Sequence, residues 1–299
     1  MVRTFGLLLQ RATRQTLRDG GVNIVRFGVS ALLALVVGSV YGKQHGPLID
    51  EDSVGDRVTI IAQAAIQVSM LAMLKTLQLF KKERSVVVRE IATRQYGSFE
   101  YLLSKAFAEL PVDALVAAFF AIVLHERTNL RCQRSQFVST LSLLACASSS
   151  LGLAISALSP TGEIALAVGP ALMVVYVIAG SIGPGKAKVK VSWILQALRN
   201  ASPIRPACEA LCVAEFANQP LTKRNLNPLR RFVSLASRVV IAVWRQLRQP
   251  AKKATPGDYV LQDLGITDHS PSNGKRSLGQ LLLAHFCFAL VGLLISNKQ

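Results

Sequence analysis

Apolar positions along this chain gather into runs of about 20 residues separated by short charged stretches, the length a helix needs to cross a bilayer. The runs predict spans over 22–41, 58–80, 106–124, 137–158, 164–182 and 278–295. The first 20 residues follow another pattern. Phe5, Leu8, Leu9, Ala12 and Thr16 recur at three- and four-residue spacing opposite Arg11, Arg14 and Arg18, which predicts an amphipathic basic helix. A mitochondrial transit peptide shares that Arg-rich, acid-poor character, whereas the run Phe5–Leu9 is too short for a secretory signal. The chain therefore reads as an all-α membrane protein of six transmembrane helices. An amphipathic helix over 1–20 precedes a membrane domain over 21–299, with a long loop, 183–277, before the last span.

Composition narrows the class. Residues are 51% hydrophobic and only 17% charged, against about 25% charged in soluble domains. That argues against a soluble enzyme and against disorder. A net charge of +17 invites a nucleic-acid reading, but the bases flank apolar runs and aromatics are sparse, so membrane flanks account for them and no nucleic-acid partner is expected. The amino-terminal flank carries Arg3, Arg11, Arg14, Arg18 and Arg26 against Asp19, and the loop before the second span carries Asp50, Glu51, Asp52 and Asp56. Charge thus places the amino terminus and 81–105 in the cytosol and 43–56 outside. Arg127, Arg131 and Arg134 disagree, sitting where this topology has the outer face. Within the long loop, 232–247 is apolar and bracketed by Pro228 and Pro250, and reads as an interfacial or re-entrant helix. Cys132, Cys146, Cys208, Cys212 and Cys287 form no CxxC pair, so neither a disulfide scaffold nor a metal site is indicated.

The sharpest local pattern lies between the second and third spans: FKKERSVVVREIATRQYGSFEYLLSKAFAELP. Spacing alone gives a solvated charged turn. The string, however, resembles the coupling region of ABC transporters of the ABCG (White-type) subfamily, where a Glu ends a span, a second Glu follows seven residues later, and a Tyr-Gly turn leads to an acid-x-Pro helix entry. Glu83, Glu90, Tyr96, Glu109 and Pro111 match that layout. In chain order, RATRQTLRDG resembles the family's amphipathic connecting helix and GSVY its first span. LGLAISALSPTGEIALAVGP resembles its fourth-to-fifth turn, ASPIRPACEALCVAEF the run after the fifth span, and GDYVLQDLGI the approach to the sixth.

The resemblance implies a half-transporter membrane domain that forms a homo- or heterodimer in the lipid bilayer of the plasma membrane or an organelle. It would export a lipid-like or other hydrophobic substrate along the dimer axis. Glu83, Arg84, Arg89, Glu90 and Tyr96 would couple it to an ATPase domain through a short cytosolic helix. Gln67, Leu71, Met173 and Tyr176 would line the substrate cavity, and Ser181 and Ile182 would occupy the position of the family's apolar plug. Departures accompany the likeness. No G-x-x-x-x-G-K-[ST] phosphate loop occurs here. ATP and Mg are therefore expected on a nucleotide-binding domain, fused or separate, and the chain itself is expected to have no cofactor or catalytic residue. Asp19-Gly20 stands where relatives often have Asn-Pro, and 232–247 looks like an insertion.

Alternatives stay open at several residues. Gln63, Gln67, Leu71, Leu74 and Gln78 share one helical face, which serves helix packing as well as cavity lining. Asp113 falls a turn inside the third span, either as a functional group or hydrated at the interface. Asn200-Ala201-Ser202 is a glycosylation sequon disfavoured by Pro203. A truncated or regulatory, non-transporting partner is the alternative function. A channel or secondary transporter is less consistent, because neither a buried charge pair nor an inverted repeat is legible.

Overall fold

The computed structural model describes residues 2–42, 51–93, 95–180, 193–217, 261, 264, 266 and 271–296. Among these residues the regular elements are α-helices: α1 (Val2–Arg18), α2 (Gly20–Tyr41), α3 (Glu51–Ala92), α4 (Ser98–Thr128), α5 (Arg134–Leu158), α6 (Gly162–Gly180), α7 (Trp193–Ala201), α8 (Ile204–Phe216) and α9 (Pro271–Ser296). Among the described residues, four stretches are long and apolar enough to cross a bilayer: Gly20–Tyr41, Val54–Leu79, Ser98–Thr128 and Arg134–Leu158. The apolar part of α6, Gly162–Ile178, is shorter. The plug pair Ser181 and Ile182 and the segment 232–247 lie outside the described residues.

Two boundaries depart from the hydropathy reading. α3 continues unbroken to Ala92, where the sequence indicated a span ending near 80 and a separate short helix. Its 42 residues reach about 63 Å at 1.5 Å per residue, roughly twice the hydrocarbon thickness. The cause is simple: no Gly or Pro interrupts the chain between Arg57 and Ala92, so charge alone ends the apolar run without ending the helix. α4 likewise begins at Ser98, well before the expected 106. The Gly97 N–H meets the Glu100 carboxylate at 3.4 Å across its first turn, and Asn129 closes the helix in the left-handed region, at φ 52°.

Small residues make α5 the central helix. It is buried continuously from Ala147 to Ala157 and packs on α3, α4 and α9. A Cβ at Gly152 would stand 3.1 Å from the Met73 carbonyl oxygen, so the glycine permits a close approach of α5 to α3. Phe120, Leu124, Phe137, Leu141 and Leu144 fill the α4–α5 side of the core, and Ile60, Ile61, Met73 and Leu77 the α3 side. α2 lies on α4 and turns Val22, Ile24, Val25 and Leu32 outward, as a lipid-facing helix does.

Candidate functional site

The charged residues that hydropathy scatters over four helices meet in one connected ladder. α1 lies against α4, and its polar face meets the extension of α3. Arg11 Nη1 stands 3.2 Å from Glu90 Oε2, and the Tyr96 hydroxyl donates to the same oxygen at 2.7 Å. One turn-pair along α3, Glu83 accepts from Gln15 Nε2 at 2.7 Å, from the Tyr101 hydroxyl at 2.8 Å and from Lys105 Nζ at 2.6 Å. The Tyr96 and Tyr101 rings stack, with centroids 6.0 Å apart. Lys105 also pairs with Glu109 at 2.7 Å, Glu109 with Lys75 at 2.8 Å, and Lys75 with Asp113 at 3.2 Å. Asp113 closes the ladder, taking Arg26 Nη2 and the Ser149 hydroxyl, each at 2.5 Å.

Helical spacing builds this arrangement. Lys105, Glu109 and Asp113 recur every four residues and so form one stripe on α4. Lys75 and Glu83 face that stripe from α3, Arg26 from α2 and Ser149 from α5. Alternating sign lets each buried charge sit between opposite charges, the condition under which ions persist away from water. Asp113 is fully buried, not hydrated at the interface, and the absence of legible charge pairs in the sequence is corrected by the fold. The signal was present as the i, i+4 stripe on α4, but its partners come from three other helices.

At the exposed end of the ladder, the Tyr96 hydroxyl holds the Glu90 carboxyl below its ordinary pKa, with Arg11 adding to the effect. Burial, reinforced by Glu90, pushes the Tyr96 phenol up. Glu83, Glu90 and Tyr96 thus face α1 and α4, while Arg89 is exposed and Arg84 lies on the same helix.

The four residues matched to the cavity do not come together within the chain. Gln67 and Leu71 are half-buried on α3, and Leu71 lines a cavity of about 280 Å³ beside α1, α2 and α4. Met173 and Tyr176 are buried in the core, on the opposite side of α3. α6 packs against the Met73–Leu77 face of that helix, about 200° around from Leu71. The outward face of α6 carries Ile164, Val168, Val174, Val175 and Ile178. Asn200 is exposed at the end of α7, while Ser202 is buried, its hydroxyl 3.5 Å from the Tyr176 carbonyl.

A further buried ion pair, apart from the ladder and missed by the sequence reading, ties the far end of the bundle. Arg57 on α3 pairs with Glu215 on α8, with 2% and 0% of their side chains exposed. The other Glu215 oxygen accepts the Cys132 N–H from the α4–α5 turn at 2.8 Å. Burial and the neighbouring Glu215 push the Cys132 thiol pKa up, which disfavours its thiolate. In the same turn region Arg134 meets Glu126 at 3.0 Å, a local neutralisation of one of the bases that disagree with the loop-charge topology.

Comparison with known proteins agrees with the bundle. The profile of the ABC-2 type transporter family matches residues 3–216, from α1 to the end of α8. ABC transporter G family member 7 of Arabidopsis thaliana is 35% identical over 228 residues, covering 75% of this chain and 30% of the relative. Protein white of Drosophila melanogaster is 25% identical over 219 residues, 72% of this chain and 31% of the relative. ABC transporter G family member 22 of Arabidopsis thaliana is 30% identical over 118 residues, 38% of this chain and 16% of the relative. The chain thus spans less than a third of the length of these relatives.

Proposed function

The chain belongs to the ABC-2 type transporter family as a multi-pass membrane domain with ABCG relatives, and from that premise we propose that it is the membrane half of an ATP-driven exporter. An ABC-2 domain is the transmembrane part of a transporter and carries no ATPase site itself. ATP and Mg are held by a nucleotide-binding domain, fused to this chain or separate. Two membrane domains, alike or different, assemble side by side, and the outward apolar face of α6 supports that pairing. A lipid-like or other hydrophobic substrate passes between them, with Leu71 and Gln67 on the lining of the route.

The observation that carries this reading is the ladder. It begins on the α3 extension, where a soluble domain docks, and ends on Asp113 and Ser149 inside the spans. A displacement of Glu83 or Glu90 pulls on α1 and α4 through charge-assisted hydrogen bonds, which are strong and directional. The helices then move as rigid bodies. Exposed Arg89 contacts the ATPase domain, and Glu90 transmits the movement to α1.

The test is reconstitution in proteoliposomes. The chain alone hydrolyses no ATP and moves no fluorescent lipid analogue. With its ATPase domain supplied, fused or separate, transport appears and depends on ATP. ATP-dependent transport by the chain alone overturns the reading, and a fully assembled dimer that never transports establishes the regulatory partner in its place.

A further inference from the structure

The corner between α7 and α8 gathers positive charge with little to answer it. Arg199, in the last turn of α7, is half-buried, and its Nε is buried with no hydrogen-bond partner. The charges that act on it are those of Arg205 and Glu209. Glu209 is already taken, since Arg205 Nε donates to it at 2.6 Å, one turn along α8. α8 adds a third positive feature: no side chain caps its amino end at Pro203, and no acid stands in its first turn. Burial, reinforced by Arg205, holds the Arg199 guanidinium below its ordinary pKa, as expected of a cation without an anion of its own.

Geometry indicates what the corner takes. An arginine has five N–H donors, so among the described residues Arg199 keeps all of them and Arg205 keeps four. An acceptor that reaches the buried Nε of Arg199 grips its guanidinium side-on, through Nε and one Nη. A carboxylate fills a single fork of this kind. Two guanidiniums and an uncapped helix end suit a group with three acceptor oxygens, which a phosphate provides. The corner also stands where phosphates are. The Ser202 hydroxyl lies 3.5 Å from the carbonyl of Tyr176, which is four residues, about 6 Å, from the end of α6. Trp193, 79% exposed at the start of α7, is a residue type that membrane–water interfaces collect.

We propose that Arg199 and Arg205, with the amino end of α8, bind a phosphate group at the membrane surface on the α7 side. Lipid headgroups of that leaflet supply it in place, and a soluble phosphate ester is the other source. The bound phosphate gives Arg199 its counter-ion and pins the α7–α8 corner over the end of α6. The site shares no residue with the ladder, and it stands whether or not the chain proves to be an exporter.

The test is thermal unfolding of the purified full chain in detergent at fixed ionic strength, with dioctanoyl phosphatidylglycerol, glycerol phosphate or dioctanoylglycerol. A phosphate compound raises the melting temperature by several degrees, as a ligand of the folded state must. Whichever of the two gives the shift identifies the source. Dioctanoylglycerol, which lacks the phosphate, leaves the melting temperature unchanged. Arg199→Gln removes the fork but no contact that the fold uses, so without phosphate it melts at or above the wild-type temperature, and the shift disappears. Arg199→Lys keeps the charge without the fork and retains only part of the shift. The chain carries a net charge of +17, so a shift arising from non-specific attraction survives the loss of one arginine. The proposal is overturned by no shift with either phosphate compound, by an equal shift with dioctanoylglycerol, or by an undiminished shift in Arg199→Gln. An Arg199→Gln variant that melts well below wild type without phosphate overturns it too, since the arginine is then a packing residue.

Discussion

Replacing Glu215 with Ala removes the centre of the tie at the far end of the bundle. The side chain is fully buried and engages Arg57 through one oxygen and the Cys132 N–H through the other. Losing one partner of a buried ion pair costs about 3–5 kcal/mol, because the remaining charge stays in a poor solvent. The Cys132 N–H adds about 1–3 kcal/mol if nothing replaces its acceptor. The two losses overlap, so about 4–6 kcal/mol is expected for Glu215→Ala and about 3–5 kcal/mol for Arg57→Met. Converting both residues to apolar side chains removes both charges together. Arg57→Met with Glu215→Leu should therefore cost only about 1–3 kcal/mol, chiefly the orphaned N–H. Reversible unfolding in SDS–detergent mixed micelles, followed by circular dichroism, measures all three variants. A double variant as destabilised as the sum of the singles would refute the reasoning, as would singles costing under about 1 kcal/mol.

Three further outcomes follow from the geometry. Asp113→Leu strands Arg26 and Lys75 beside an apolar side chain and should lower stability by about 3–5 kcal/mol in the same assay, while Arg127→Ala, at an exposed position, should change it by less than about 0.5 kcal/mol. Gly152→Leu drives a side chain toward the Met73 carbonyl oxygen, 3.1 Å from where its Cβ would stand, and should cost at least about 1–3 kcal/mol of overpacking. The Glu90 carboxyl has a lowered pKa in the fold, so its contribution is fully present above the ordinary carboxylate pKa of about 4.3 and disappears as pH falls through the lowered value. Hydrogen exchange in α1, corrected for intrinsic rates, should be constant from about pH 5 to 8 and rise only below about pH 4. Glu90→Gln should show the faster exchange already at neutral pH, and protection in wild type that changes between pH 5 and 7 would contradict the assignment.

The helices were legible in the sequence because a bilayer imposes both length and apolar content. α2 and the fourth span were placed to within a few residues for that reason. The end of α3 was not, since hydropathy marks where a helix leaves lipid and says nothing of where it stops. Glu83, Glu90 and Tyr96 were found through likeness to a family motif. Their actual partners, Arg11, Gln15, Tyr101 and Lys105, come from helices far apart in sequence, and pairing at that range is settled by packing. Asp113 looked ambiguous because its depth alone was readable, and its burial depends on Arg26, Lys75 and Ser149 arriving from three directions. Met173 and Tyr176 show the converse: a position matched to a relative carries residue type but not which face of α6 turns inward.

Coupling is the central claim, and transport per ATP hydrolysed tests it most directly. The transporter assembled with its ATPase domain should be compared with Glu90→Ala and with the exchange Arg11→Glu/Glu90→Arg. In the first, ATP binding and hydrolysis persist while transport falls at least several-fold, because α1 loses its ion pair to α3 and keeps only the Gln15–Glu83 contact. In the second, the restored ion pair returns much of the lost transport. Unchanged transport per ATP in Glu90→Ala would contradict the account, and so would equal losses in the single variant and the exchange.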